Sequence, residues 1–265
     1  AANKGTGSNP AVYDKPRLTF WQIWNVSFGF LGVQFGFALQ NANASRILSN
    51  LGADLHSLSL FWLVAPIMGL LVQPLVGAAS DKTWTRLGRR SPFILAGAII
   101  SMLAMFLMPN APYIIQVGTV GALIFGAVML ALMDGSFNVT FQPFRALVAD
   151  MTPEKQRNLG YSVQSLLINV GAVIGSALPF VLTAFGVGNQ AGEGEVPMSV
   201  IWSFYIGGSI LLLSVLVTVF RTREYPPQEF RQYNNIAEDD KTNNEGFFQL
   251  LGKMPKTMKQ LALVQ

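Results

Sequence analysis

No cysteine occurs among the 265 residues, which excludes disulfides and thiolate metal sites. A single histidine, His56, is too few for a histidine-clustered metal centre. Charge is scarce as well. Asp, Glu, Lys and Arg make up 12% of the chain and hydrophobic residues 51%, whereas a soluble domain carries about 25% charged residues. The sequence contains neither a nucleophile paired with a base nor a Gly-rich phosphate loop ending in Lys-Ser/Thr, so no enzymatic activity and no cofactor are expected. The stretch from Ala1 to Lys15 is polar, without the short apolar core of a cleaved signal, so the first apolar segment is expected to insert uncleaved. These shortages point to an all-α integral membrane protein whose first partner is the lipid bilayer. The net charge of +4 fits basic cytoplasmic loops as well as it would fit nucleic acid. No nucleic-acid partner is expected.

What is abundant is apolar helix. A helix needs roughly 20 residues to cross a hydrocarbon core, and six runs qualify, near residues 19–42, 58–79, 92–109, 115–149, 158–185 and 199–220. They divide the chain into a cytoplasmic N-terminal segment (1–17), a six-helix transmembrane bundle (18–222), a polar connector (223–259) and residues 260–265, which read as the start of a seventh segment. Lys and Arg set the orientation. Lys4, Lys15, Arg17, Lys82, Arg86, Arg89, Arg90, Lys155, Arg157, Arg221 and Arg223 fall on one side, and Arg46 alone on the other. Both ends are therefore expected to be cytoplasmic, in a multi-pass protein whose short loops suit a bacterial inner (plasma) membrane.

In the first segment Gly29, Gly32 and Gly36 favour close helix approach. Gln34, Gln40, Asn41 and Asn43 follow; such amides either join helices or line a wet cavity. Pro66 and Pro74 should bend or locally unwind the second segment. The fourth carries Asp134, Asn138, Gln142, Arg145 and Asp150 within an otherwise apolar run. Asp134 falls at the middle of that helix, near the bilayer midplane, where an ionisable residue marks a functional site. Desolvation disfavours a charged carboxylate, which makes Asp134 the candidate proton carrier. At 100° per residue, Asn138, Gln142 and Arg145 lie about 40°, about 80° and about 20° round from Asp134, so one polar stripe results. Arg145 is about 16 Å away along a straight helix, too far to pair with Asp134 unless Pro143 bends it sharply. A cavity holding a polar solute would satisfy both groups, the guanidinium donating to hydroxyl oxygens; partners on other helices would do so equally. At the cytoplasmic side, the loop from Gly77 through Asp81 and Gly88 to Arg89 and Arg90, with Asp150 and Arg157, reads either as a solvated basic turn or as an ion-pair latch that makes and breaks during a conformational cycle.

Several stretches carry a family resemblance. They are Gly32-Val33-Gln34-Phe35-Gly36 through Gln40; Trp62-Leu63-Val64-Ala65-Pro66 and Val72-Gln73-Pro74 through Gly77 and Asp81; Arg86-Leu87-Gly88-Arg89-Arg90 with Pro92; and Asp134 and Asn138 followed by Pro143, Arg145 and Asp150. In these the chain resembles the proton-coupled sucrose symporters of plants and their bacterial relatives, among the glycoside-pentoside-hexuronide:cation symporters of the major facilitator superfamily. The resemblance implies a transporter of two six-helix bundles with a central sugar site that opens alternately to each side, so this chain is expected to be the N-terminal half, its C-terminal partner bundle missing. It also implies that Asp134 couples the proton and contacts sugar, and that Arg145 serves binding and coupling. Asn138, Gln40, Gln34 and Asn41 are expected to complete the sugar contacts. A histidine near the outer mouth of the plant proteins corresponds to His56. Two departures stand out: Ser91 replaces the third basic residue of the family's loop, and Gln142 stands where plant members have glycine. With no acid between Asp54 and Asp81 to serve a sodium site, the proton is the expected coupling ion. The expected function is proton-coupled transport of a sucrose- or maltose-like disaccharide or glucoside; a non-transporting sensor or scaffold, or an exporter of another polar solute, are the alternatives.

Overall fold

Only helices can satisfy their own backbone inside hydrocarbon without closing a barrel, and the chain forms helices along nearly its whole described length. The computed structural model describes residues 14–54, 59, 62–115, 119–192 and 194–234. Lys15–Tyr225 is one compact unit. It contains α1 (Phe20–Ser27), α2 (Gly29–Asn50), α3 (Val64–Lys82), α4 (Ser91–Leu107), the short α5 (Ala111–Ile114), α6 (Thr119–Met151), α7 (Arg157–Ala184) and α8 (Met198–Arg221). Among the described residues there is no β-strand. A second unit comprises Ala1–Asp14 and Pro226–Gln265; its described part holds α9 (Pro227–Tyr233), with proline at the first helical position, where no N–H is required. His56, most of the expected connector and all of residues 260–265 lie outside the described residues.

Five helices are long and apolar enough to cross a membrane, and the chain is a multi-pass membrane protein. The predicted first segment differs. Its helix α2 has the length, 22 residues, but Gln34, Gln40, Asn41, Asn43, Arg46 and Asn50 make it more polar than the five. It also extends to Asn50 rather than stopping near residue 42; along it Gln40 donates to Asp134 of α6, Asn43 to the Leu39 carbonyl of its own helix and Arg46 to Asn189. The predicted third segment, near 92–109, runs further than expected. A 3₁₀ turn at Met108–Asn110 carries the helical path on from α4 to Ile114. In α3, Pro66 falls in the first turn, where its missing N–H costs nothing, and the helix continues through Pro74 without interruption.

The break between α1 and α2 has a specific cause. Thr19 opens α1 with a capping box: its hydroxyl accepts from the Gln22 backbone N–H at 3.3 Å, and the Gln22 side chain accepts from the Thr19 N–H at 2.8 Å. At the other end the N–H of Gly29 would ordinarily donate to the carbonyl of Asn25. It donates instead to the Thr218 hydroxyl (2.8 Å), which itself donates to the Asn25 carbonyl (2.9 Å). A hydroxyl from α8 is thus inserted into the helical ladder, a recognised cause of kinking.

The helices form a continuous series in which α7 packs on α2, α2 on α8, α8 on α4, α4 on α6 and α6 on α3, while α2 and α6 also touch each other at the centre. Small residues allow the closest approaches. A Cβ on Gly171 or Gly175 of α7 would strike the backbone oxygens of Leu31 or Phe35 in α2. Gly32 of α2 lies as tightly against Ser214 and the backbone of Ile210 and Leu211 in α8. The spacing Gly171-x-x-x-Gly175 was a visible signal that reading only the first segment's glycines overlooked. Aromatic side chains fill the centre, with Phe30 against Phe144 at 4.2 Å between centroids and Phe37 edge-on to Phe137 at 5.6 Å.

Replacing Thr218 by Val, nearly isosteric but without the hydroxyl, leaves the Gly29 N–H and the Asn25 carbonyl without their inserted partner. Thermal unfolding in detergent should show a loss of about 1–2 kcal/mol, while Thr218→Ser should remain near wild type; equal stability of Thr218→Val would refute this account of the kink.

Candidate functional site

The polar stripe of α6 meets α2 and α3 through amides rather than through charge. Asp134 is 3% exposed and Gln40 of α2 is 1% exposed. The Gln40 amide nitrogen donates to Asp134 Oδ1 at 2.5 Å. One turn further on, the Asn138 amide donates to the Asp134 backbone carbonyl (2.8 Å), and Asn138 Oδ1 accepts from the Gln73 amide of α3 (2.6 Å). Three helices are therefore joined by two side-chain hydrogen bonds around one buried carboxyl group. Among the described residues, no cation pairs with Asp134.

Arg145 is exposed, its guanidinium carbon 5.8 Å from the centre of the Phe141 ring. It holds no ion pair among the described residues. Asp134 and Arg145 thus remain apart on the helix that carries both, despite Pro143 between them. Gln34 and Asn41 are half-buried on α2, and among the described residues neither side chain makes a hydrogen bond. Gln40, expected among the sugar contacts, is buried and is the hydrogen-bond partner of Asp134. Gln73, to which sequence reading gave no role, joins the site because an amide in the middle of an apolar helix needs a partner.

At the end of the bundle where α3, α4, α6 and α8 meet, the charged residues of the expected latch assemble. Arg90 reaches Asp81 at 2.5 Å and Asp150 at 3.2 Å, and Arg89 reaches Asp150 at 2.5 Å and Asp81 at 3.6 Å. Both arginines are buried and Asp150 is largely covered, so the pairs to Asp150 are partly shielded from solvent, whereas Asp81 is exposed and its pairs are screened as surface ion pairs are. Arg90 also donates to the Ser80 hydroxyl (2.6 Å), and Arg89 lies over the Trp84 ring at 5.6 Å. Gly88 adopts φ +119°, a left-handed conformation that glycine tolerates, and so turns the chain into the arginine pair. Gly77 sits a helical turn before Asp81, beside the Gln142 side chain. Arg157 lies apart from the cluster, 3.9 Å from Glu154, its neighbour one turn earlier. Burial near this cluster lowers the pKa of the Lys15 ammonium from the ordinary lysine value, against the attraction of Asp150.

Glu224 was not foreseen. Its carboxylate accepts from the backbone N–H groups of Arg89 (2.8 Å), Arg90 (3.1 Å) and Ser91 (2.8 Å) and from the Ser91 hydroxyl (2.6 Å). It thereby caps the N-terminus of α4, where the helix dipole favours an anion. Ser91, the departure from the family's basic loop, supplies two of these four donors. The available signal was an acid immediately after the basic end of α8. On the opposite side of the bundle Arg46, the one cation expected on the outer side, donates through Nη1 to Asn189 Oδ1 (2.8 Å) and through Nη2 to the Asn189 carbonyl, and the Ser199 hydroxyl donates to the same Asn189 Oδ1 (2.8 Å). No group of three or more potential metal ligands occurs among the described residues.

Comparison with known proteins matches residues 47–263 to the family described as MFS/sugar transport protein. The general alpha-glucoside permease of Schizosaccharomyces pombe is 24% identical across all of this chain and 48% of its own length. Sucrose transport protein SUC4 of Arabidopsis thaliana is 33% identical over 66% of this chain and 37% of its own. The human proton-associated sugar transporter A is 31% identical over 60% of this chain and 22% of its own. The chain spans about half or less of the length of these relatives.

Truncating Glu224 to Ala should free three backbone N–H groups at the start of α4 and lower stability by about 2 kcal/mol, read as thermal unfolding in detergent. Glu224→Gln, which keeps an acceptor oxygen, should recover part of that loss; no change in Glu224→Ala would exclude the capping role.

Proposed function

The chain belongs to the MFS/sugar transport protein family, and from that premise we propose that it forms the N-terminal half of a secondary transporter that carries a sucrose- or maltose-like disaccharide or glucoside together with protons. The observation that carries the proposal is the surroundings of Asp134. A buried carboxylate beside a cation stays ionised, whereas one beside a neutral amide can take up and lose a proton. The names of the relatives, which include permeases and transporters of alpha-glucosides and sucrose and a proton-associated sugar transporter, support the solute class and the coupling ion.

In the proposed cycle Asp134 takes a proton from the outer side, sugar binds, the two bundles rock, sugar leaves on the inner side, and Asp134 releases its proton there. Arg145, exposed and without a carboxylate partner among the described residues, would donate to sugar hydroxyls. Asn138, Gln34 and Asn41 would supply further hydrogen bonds, and Gln40 would act through Asp134. Asp81, Arg89, Arg90 and Asp150 would hold the inner end of the bundle closed in one half of the cycle, with Gly77 and Gly88 allowing the turn and Arg157 at its edge. A second six-helix bundle would form the other wall of the sugar site. The proposed location is a cell's inner or plasma membrane, with both ends of this chain cytoplasmic, in accord with its Lys and Arg distribution.

Uptake of radiolabelled sucrose and maltose into proteoliposomes, using the longest natural chain that contains this sequence, tests the proposal. An inward proton gradient should drive accumulation, and Asp134→Asn should abolish accumulation while retaining exchange. Gradient-independent exchange in both proteins would remove proton coupling; no sugar movement in either would remove the transport reading.

A further inference from the structure

Gln40 leaves one atom unaccounted for. Its Nε2 donates to Asp134 Oδ1, but its Oε1 is buried and accepts no hydrogen bond among the described residues. A buried carbonyl without a donor is costly and rare, and a static amide with no second role would be expected to have both ends satisfied. The two ends of a side-chain amide have nearly the same shape, so a half-turn of this amide fits the space it already occupies. After that turn Oε1 faces the carboxyl group, where it can accept a hydrogen bond only if Asp134 carries a proton.

We infer that Gln40 is a two-position amide switch for the proton on Asp134: its N–H₂ donates to the ionised carboxylate, and its carbonyl accepts from the protonated carboxyl after a half-turn. The exchange balances, since one proton enters, the carboxylate becomes a donor, and the amide reverses from donor to acceptor without a covalent change. Gln40 is thus a positioning residue for proton coupling. The inference rests on the proposed role of Asp134 but not on the identity of the solute.

The surroundings leave the amide as the main polar control on this carboxyl group. Across the helices near Asp134, the charged residues are Arg46 on α2, Asp81 and Lys82 at the end of α3, Arg145 and Asp150 further along α6, and Arg221 at the end of α8; α4 has none. None of them forms an ion pair with Asp134 among the described residues. The nearer polar groups are the amides of Gln40, Asn138 and Gln73.

The test is an infrared titration of the protonated carboxyl stretch that Asp134→Asn removes, made on the longest natural chain in lipid without sugar, for wild type, Gln40→Met and Gln40→Glu. Gln40→Met keeps the volume and deletes both the donor to the ionised form and the acceptor for the protonated form; the charge-assisted bond is the stronger of the two, so the midpoint should move to higher pH by about fivefold in proton concentration. Gln40→Glu, close to isosteric, places two carboxyl groups around one proton and should move it at least as far. In wild type the side-chain amide band should change in step with the carboxyl band, because the amide turns. A midpoint that stays within about twofold of wild type in either folded variant would overturn the inference, as would an amide band indifferent to protonation. If the titration behaves as expected while proteoliposomes move no sugar, the switch stands and the sugar reading fails; if sugar accumulates and the midpoint is unmoved, the reverse holds.

Discussion

The hydrogen bond from Gln40 to Asp134 is the constraint on which the rest of the bundle depends. A carboxyl group near the middle of a membrane helix has little water to stabilise its charge, and the protein offers it a neutral donor from α2 instead of a cation. That choice requires α2 and α6 to touch. Contact at the centre in turn requires Phe30, Phe37, Phe137 and Phe144 to interlock around it and small residues to admit the flanking helices. The polarity of α2 follows from the same requirement, since a helix that must present an amide to a buried acid cannot be uniformly apolar.

The two ends of the bundle handle charge differently from its middle. On the basic side, Arg89 and Arg90 share Asp81 and Asp150, while Glu224 satisfies the start of α4. Three acids from α3, α6 and the segment after α8 thus converge on one short basic loop. Opposite, a single arginine is held by an asparagine in the connection between α7 and α8. The first arrangement crosslinks elements far apart in sequence through charge. The second is a local tie. In the middle the interactions are amide to carboxyl, amide to amide and hydroxyl to hydroxyl, as between Ser101 and Ser136 at 2.7 Å. Neutral groups can exchange partners there without leaving a bare charge in hydrocarbon.

The insertion of Thr218 into the helical ladder shows how such a bundle departs from regularity without proline. The hydroxyl accepts from one backbone group and donates to the other, so both the Gly29 N–H and the Asn25 carbonyl keep a partner at the kink between α1 and α2. Neither Pro66 nor Pro74, the residues that advertise irregularity in the sequence, produces an interruption comparable to this one. Pro66 falls where a helix has an N–H to spare.

By itself the sequence determined the class and the axial order of the protein: its helical membrane segments, its charge asymmetry, the mid-helix position of Asp134 and the alignment of Asn138 and Arg145 with it. Those properties follow from composition and from the fixed rise and turn of a helix, which need no knowledge of neighbours. It also placed Asp81, Arg89, Arg90 and Asp150 at the same end, because each lies at the end of a segment. Only the tertiary structure decided the partners. Gln40 and Gln34 are both amides of α2, yet one is buried on the acid and the other is not; Gln73, Thr218, Ser91 and Glu224 acquire their roles from helices remote in the chain; and Arg157, basic and in the right loop, stays with Glu154. Which face of one helix meets which face of another is set by the packing of all of them together, and no local pattern carries that information.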